Sequence, residues 1–317
     1  MSHSTVTVVT EDPDKLDAML APFDENTEVE PYWEPAYDRD RYPTVADMMA
    51  YVRSVYEGRA DYKIDGGWAK IRARHPSLPE RPEDATDEQL MEDWNGGQPY
   101  RDGPDGLESQ STYNPRSKWD WYVVGGRWSG YWPVKPAFHG APELIRGEAG
   151  AFNEPVVTPD RADGGPKHML DLTALEVETA ADAQRVIEWV QARKVAELPP
   201  LPPEDAGRDA YQAWWRTPAV EALETDNRDS PLGWSAAPRD VHLAATDPEA
   251  YLAEKVRVNF PTWALLTPEG WAERGDMGFW GMSDKTPESE ERFADIYREI
   301  IEHTPDDWYL IVVDVHI

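Results

Sequence analysis

One short segment of the chain, 114–128, combines several residue types that bind ligands. Its sequence predicts a β-hairpin with a first strand over 119–124, a tight turn at Gly125-Gly126 and a second strand over 127–132. Glycine adopts positive φ easily and lets a ligand or another backbone approach closely. Because side chains alternate along a strand, one face of the first strand is expected to carry Trp119 and Trp121. The opposite face is expected to carry Asp120 and Tyr122.

The charged residues of the segment suit an anion. Arg127 carries a planar guanidinium that matches a carboxylate or phosphate, and Lys118 and Asp120 flank the indoles. We therefore predict a site for an anionic or nucleotide-like molecule, formed by Lys118, Trp119, Asp120, Tyr122, Gly125, Gly126, Arg127 and Trp128. The alternative is a structural hairpin whose indoles pack in the core while Asp120 pairs with Arg127.

Asp314 and His316 are the candidate catalytic residues. They are two positions apart in a predicted strand, so their side chains share a face, and a carboxylate-oriented imidazole can act as a general base. A structural or solvated histidine is the alternative. With no HExxH or HxH spacing and no cysteine, no metal site is predicted. The sequence indicates no particular cofactor, and whether the protein is an enzyme stays open.

The charge of the chain restricts its partners. There are 31 Lys and Arg against 61 Asp and Glu, a net charge of −30. Direct binding of nucleic acid needs clustered cations and is not expected, nor is binding to an anionic membrane. The apolar runs are too short to span a bilayer. The acidity favours a partner with a basic surface, or it serves only to keep the protein soluble. Without cysteine, we expect a cytoplasmic location.

The strand and helix signals predict an α+β fold. The β-branched run 5–10 predicts a strand, and Thr286-Pro287 predicts the start of a helix that precedes a nearly continuous apolar strand over 308–315. The expected sheet is antiparallel and ferredoxin-like, with helices on one face and long loop insertions. Residues 1–197 and 251–317 are predicted to form one domain, and 198–250 a Pro-rich acidic insertion or arm. The segment 161–168 is predicted to be a polar surface turn, with a substrate loop as the alternative.

Segment 114–128 also resembles a family of phage-encoded proteins, common in phages of actinobacteria. The shared pattern is Asn-Pro-x-x-Lys-Trp-Asp-Trp-Tyr-x-x-Gly-Gly-Arg-Trp. Segments 21–32, 275–282 and 313–317 are similar to the same family. The resemblance implies a phage origin and a shared fold, and it implies no reaction.

Three functions remain open at this point. The first is a phage-type acidic binding protein that inhibits a host protein in the host cytoplasm, for host takeover or anti-defence. The second is a protein or enzyme that binds a nucleotide or another small anionic ligand through the Trp-rich Gly-Gly-Arg hairpin. The third is a structural or assembly protein in which the Pro-rich arm tethers subunits. We expect the hairpin at 118–128 to be part of the working face in each case.

Overall fold

The computed structural model describes residues 3–57, 67–94, 98–149, 156, 158–192, 198–203, 206–224, 238–275 and 284–316. The chain divides into two compact units. The first contains Met1–Asp24 and Lys118–Ile317, and the second contains Glu25–Ser117. This division differs from the predicted boundaries at 198 and 250, because 25–117 forms its own unit and 198–250 belongs to the first one.

The described residues form the following elements in chain order. The strands are β1 (His3–Thr10), β2 (Tyr32–Pro35), β3 (Tyr100–Gly103), β4 (Gly106–Ser111), β5 (Trp121–Gly126), β6 (Trp132–Pro133), β7 (Glu148–Ala149), β8 (Arg161–Ala162), β9 (Gly164–Pro166), β10 (Ala264–Thr267), β11 (Gly270–Glu273) and β12 (Tyr309–His316). The helices are α1 (Leu16–Leu20), α2 (Val45–Tyr56), α3 (Gly67–Arg74), α4 (Asp87–Trp94), α5 (Leu172–Ala192), α6 (Gly207–Trp215), α7 (Pro218–Glu224), α8 (Pro238–Thr246), α9 (Pro248–Asn259) and α10 (Pro287–His303).

A mixed sheet forms the centre of the first unit. Its strand order is β11-β10-β1-β12-β5-β7, and β9 also pairs with β12. β1 pairs antiparallel with β12 from His3 opposite His316 to Thr10 opposite Tyr309, and it pairs parallel with β10. The α+β class is thus confirmed. The parallel β1–β10 pair differs from the antiparallel sheet of the prediction, and the ferredoxin-like strand order is not confirmed.

Strand β12 is buried on both faces, as its nearly continuous apolar sequence predicts. On one face Leu310 packs in a cluster with Tyr297 of α10. On the other face Val313 packs in a cluster with Leu20 of α1. Helices therefore lie on both faces of the sheet, where the sequence analysis expects them on one. The physical reason is that both sets of alternate β12 side chains contain apolar residues, so each face requires a covering layer.

The predicted aromatic hairpin over 119–132 does not form. β5 pairs with β12 and with β7, whereas β6 pairs with β8. Gly125 and Gly126 lie at the end of β5 with φ of 77° and 56°, and residues 127–130 form the turn that follows. The two glycines are therefore the last residues of a strand in a large sheet.

Helices α8 and α9 pack against α5 through a buried cluster that includes Ile187, Val190, Val241 and Tyr251. The described end of the predicted arm, 238–250, is thus part of a packed helical layer. Residues 198–203 have no regular secondary structure, as their prolines require. Among the described residues, no helix combines the length and the apolar character needed to cross a membrane.

The second unit has its own sheet and core. Strands β2, β4 and β3 pair antiparallel in that order. Helices α2, α3 and α4 contribute to a buried cluster with β4, which includes Met48, Val52, Ile71, Leu90 and Leu107.

Candidate functional site

Each glycine of the Gly125-Gly126 pair lies directly against a buried carboxylate of the protein itself. A Cβ on Gly125 would be 2.6 Å from Cγ of Asp163, and a Cβ on Gly126 would overlap the side chain of Asp314. Both glycines also have positive φ, which other residues adopt at a cost. The glycine pair is therefore required by these internal carboxylates, whereas the sequence analysis assigns it to a ligand.

Asp163 is an internal anchor for two loops. Its side chain accepts hydrogen bonds from the backbone N–H of Gly130 at 2.6 Å and of Gly147 at 2.6 Å. Asp163 is only 2% exposed, although the sequence analysis places 161–168 in a surface turn. The turn is buried because β9 pairs with β12, a contact between distant segments that no local sequence signal indicates.

Asp314 of β12 binds both β1 and the turn that follows β5 through one fully buried carboxylate. Oδ1 lies 2.8 Å from Nδ1 of His3, and Oδ2 accepts the backbone N–H of Arg127 at 2.9 Å. Since a carboxylate only accepts hydrogen bonds, we assign a proton to the Nδ1 atom of the His3 ring. Arg127 thus contributes its main chain to this network, while its side chain is exposed.

The predicted catalytic residues Asp314 and His316 lie two positions apart in β12, but the Asp314 carboxylate binds His3 in place of His316. Nδ1 of His316 lies 2.6 Å from Oδ1 of Asp120, so each member of the pair binds a different partner. The His316 ring stacks on Trp121, with centroids 5.1 Å apart. The His3 ring packs against the rings of Trp121 and His316 in a T-shaped arrangement, with centroid distances of 5.3 Å and 5.0 Å. The sequence analysis misses His3, because a lone histidine carries no spacing motif.

Three other predicted ligand-binding residues have structural contacts. Lys118 pairs with Glu273 at 2.6 Å. Trp119 packs in the core of the sheet, as the structural alternative predicts. The Tyr122 hydroxyl donates to Asp17, and burial, with a further contribution from Asp17, raises the pKa of Tyr122.

A cleft of about 340 Å³ opens beside the first residues of β1. This volume is within the range of about 300–1,000 Å³ that is typical of small-molecule sites. His3 and Arg274 line it, and the indoles of Trp128 and Trp263 form parts of its wall. Of the eight predicted ligand-binding residues, all of which are described, Trp128 is the one that lines this cleft.

Arg274 is the buried cation of the cleft. Its Nη2 donates to the carbonyl of Pro261 at 2.5 Å and its Nε to that of Thr262 at 3.3 Å. Glu290 lies 3.6 Å from Nη1. Burial lowers the pKa of Arg274, an effect that Glu290 partly opposes, yet an arginine remains charged in proteins. The sequence analysis misses Arg274 as well, since only the pairing of β11 with β10 and of β10 with β1 brings it to this place.

Tyr131 contributes a neutral group to the same cleft. Its hydroxyl donates to the carbonyl of Phe260 at 3.1 Å, and burial raises its pKa. Tyr131 therefore stays protonated at neutral pH. Within the described ranges, no group of three or more His, Asp or Glu side chains is placed to hold a metal ion.

Comparison with known proteins finds no match for this chain among protein-family models, curated proteins or solved structures. The resemblance of segment 114–128 to phage-encoded proteins therefore stays a prediction.

Proposed function

We propose that the protein binds a small anionic ligand in the cleft, with Arg274 as the group that recognises the negative charge. The observation that carries this proposal is the set of contacts that the buried Arg274 guanidinium makes. Among the described residues, it donates to two carbonyl groups, and its nearest carboxylate oxygen, on Glu290, lies 3.6 Å away. The ion pair with Glu290 is longer than a charge-assisted hydrogen bond of about 2.7–2.9 Å, so an anion that reaches the guanidinium from the cleft adds to the stabilisation of this desolvated charge.

The walls of the cleft favour a ligand that also carries a flat ring. Trp128 and Trp263 contribute indoles, which bind rings through their faces and edges. Asn259 adds an amide that can both donate and accept hydrogen bonds. The ligand class that fits is a small oxyanion with an aromatic or heterocyclic ring, and a mononucleotide belongs to this class.

Titration calorimetry with mononucleotides, aromatic phosphates and aromatic sulfonates tests the proposal. We expect at least one of them to bind, and Arg274→Gln to weaken that binding by about 10- to 100-fold, because a charge-assisted hydrogen bond contributes about 1.5–3 kcal/mol. Arg257→Gln is the matched control, since Arg257 pairs with Asp295 outside the cleft. It should leave the affinity unchanged.

Arg274 also holds two carbonyl groups, so its replacement has to be separated from a folding defect. Arg274→Lys keeps the charge and loses the planar fork, and circular dichroism reports whether each variant is folded. A folded Arg274→Gln variant that binds as tightly as the wild type contradicts the proposal. So does a wild-type protein that binds none of the three ligand classes.

A second candidate is the binding of a partner with a basic surface, and the charges on α10 favour it. The exposed face of this helix carries acids three or four positions apart, which places them along one stripe: Glu288, Glu291, Asp295, Glu299 and Glu302. Arg257 contacts two of them, Glu291 and Asp295. If the phage resemblance is correct, the partner is a host protein that this acidic surface inhibits.

This second candidate is tested by capture from an extract of an actinobacterium. The variant Glu288→Gln/Glu299→Gln/Glu302→Gln should lose a partner that the wild type retains, and raised salt should release that partner. The control, Glu80→Gln/Glu88→Gln/Glu143→Gln, changes the net charge equally at exposed positions elsewhere. Equal recovery by both variants contradicts a role of the α10 stripe.

A further inference from the structure

We infer that His3 is a second ligand-contacting group of the cleft, and that binding of the anion is coupled to the uptake of one proton at its Nε2. This inference rests on the proposed function. His3 lines the cleft, and its Nδ1 is hydrogen-bonded to Asp314 at 2.8 Å. Because Nδ1 is engaged by Asp314, we assign the contact with a ligand in the cleft to Nε2.

The position of Asp314 suits it to hold His3 in this orientation. Asp314 is fully buried, and its second oxygen is fixed by the N–H of Arg127 at 2.9 Å. A carboxylate on one ring nitrogen fixes the tautomer and the ring orientation, and it stabilises the imidazolium form. Asp314 thus acts as a positioning residue for His3 and has no direct contact with the cleft in this arrangement.

The charged groups around His3 act in opposite directions. Asp314 on β12 favours the imidazolium form. Arg274, on the wall of the same cleft, opposes it, and Tyr131 there is neutral. His316 lies 5.0 Å from His3, and its Nδ1 is hydrogen-bonded to Asp120.

An anion in the cleft changes this balance. It neutralises the repulsion from Arg274 and attracts the imidazolium directly, so the proton on His3 is held more tightly in the complex than in the empty protein. By linkage, the same coupling strengthens anion binding when His3 is protonated. The proton comes from solvent, and no covalent bond forms or breaks. Affinity should therefore fall as the pH rises and this proton is lost.

The test uses an aromatic sulfonate, because this probe does not titrate near neutral pH. Calorimetry in two buffers of different ionisation enthalpy measures the number of protons taken up. For the wild type we expect uptake of up to about one proton, and an affinity that falls by up to about tenfold per pH unit above the titration range. In His3→Gln both effects should disappear.

His316→Gln is the matched control, because His316 contacts the His3 ring and is not among the residues that line the cleft. It should retain the proton uptake. Imidazole nitrogen shifts of His3 in the wild-type protein, with and without the sulfonate, give a second measurement that does not depend on the folding of a variant. Binding should move these shifts towards the protonated form.

The outcomes separate the two proposals. Binding that depends on Arg274 but takes up no proton overturns the role of His3 and leaves the anion site in place. Proton uptake that survives in His3→Gln and disappears in His316→Gln also overturns it. If no anion binds to the wild type, the anion site itself is wrong.

Discussion

His3 and His316 lie opposite each other on β1 and β12, with ring centroids 5.0 Å apart, and each binds a different carboxylate through Nδ1. His3 binds the buried Asp314, and His316 binds Asp120. Two Asp–His pairs therefore meet at one end of the sheet. Only the pair formed by His3 borders the cleft, which is why we assign the chemistry of the site to His3.

The Nε2 atom of His316 is buried, and within the described part of the chain it has no hydrogen-bond partner. Its ring is stacked on Trp121 and also contacts His3. A buried polar atom without a partner lowers stability by about 1–3 kcal/mol. The favourable contributions of His316 to the fold are its ring packing and its hydrogen bond with Asp120.

The first prediction concerns the contact between Gly126 and Asp314. Gly126→Ala places a methyl group on the buried carboxylate at a φ of 56°. We expect the free energy of unfolding to fall by about 2–4 kcal/mol, as left-handed strain adds to overpacking. Urea denaturation measures this change.

Gly140→Ala is the matched control for that substitution. Gly140 has a similar φ of 78°, and nothing lies within 4 Å of the added Cβ. Only the strain of about 1–2 kcal/mol is expected there. Equal losses in the two variants would show that the contact with Asp314 carries no additional energy.

The second prediction concerns Asp163. An asparagine at this position keeps the shape of the side chain but replaces one acceptor oxygen by an NH2 group. That group faces the N–H of Gly130 or Gly147, so one buried donor loses its partner. We expect Asp163→Asn to lower the free energy of unfolding by about 2–4 kcal/mol. Asp306→Asn, at a side chain that is 83% exposed, should change it by less than about 0.5 kcal/mol.

Local signals predict local structure well in this chain. Helix α10 begins at Pro287, and Thr286 caps it by accepting the N–H of Ser289, as the Thr-Pro pair indicates. The both-sided burial of β12 also follows directly from its apolar sequence. These features are predictable because the residues that determine them lie within a few positions of each other.

Contacts between distant segments are the part that the sequence does not reveal. By local rules Gly125-Gly126 indicates a turn. In the structure Gly126 is required because it lies against Asp314, a residue 187 positions after the neighbouring Arg127. His3 and Arg274 belong to no motif, and only the order of the strands brings both to one cleft. The pairing of β5 with β12, in place of the predicted hairpin, has the same origin.

The third prediction separates two neighbouring indoles. Trp119 is 7% exposed, whereas Trp121 is 40% exposed and stacks on His316. We expect Trp119→Ala to lower the free energy of unfolding by about 3–5 kcal/mol, and Trp121→Ala to lower it by about 1–2 kcal/mol. A Trp119→Ala variant that keeps its stability and loses ligand binding would restore the site predicted from the sequence.

The fourth prediction is a pH dependence that involves Tyr297. Burial raises its pKa to about 12, while an unfolded tyrosine titrates near 10. The folded protein thus holds the proton more tightly, so this contribution to stability is complete below pH 10 and is lost as the pH rises towards 12. The free energy of unfolding should fall there by about 1.4 kcal/mol per pH unit for this group.

Tyr297→Phe is the variant that isolates this effect. It removes the hydroxyl that is hydrogen-bonded to Thr7 at 2.8 Å, so stability at neutral pH should fall by about 1 kcal/mol. Between pH 10 and 12 the free energy of unfolding of this variant should decline less steeply than that of the wild type. The difference in slope should correspond to about one proton, or about 1.4 kcal/mol per pH unit. Parallel declines would mean that Tyr297 does not titrate differently in the folded and unfolded states. Denaturation curves at a series of pH values provide the comparison.

The fifth prediction tests whether Lys118 serves the fold. Its pair with Glu273, at 2.6 Å, joins side chains that are 23% and 10% exposed, so solvent weakens the attraction less than at the surface. A double-mutant cycle of Lys118→Ala and Glu273→Ala should give a coupling energy of about 1–3 kcal/mol. The exposed pair of Lys15 and Glu11, at 54% and 58%, should give a much smaller coupling energy, because solvent screens both charges. Equal coupling in both pairs would leave Lys118 available for a ligand, whereas the expected difference means that Glu273 already engages its charge.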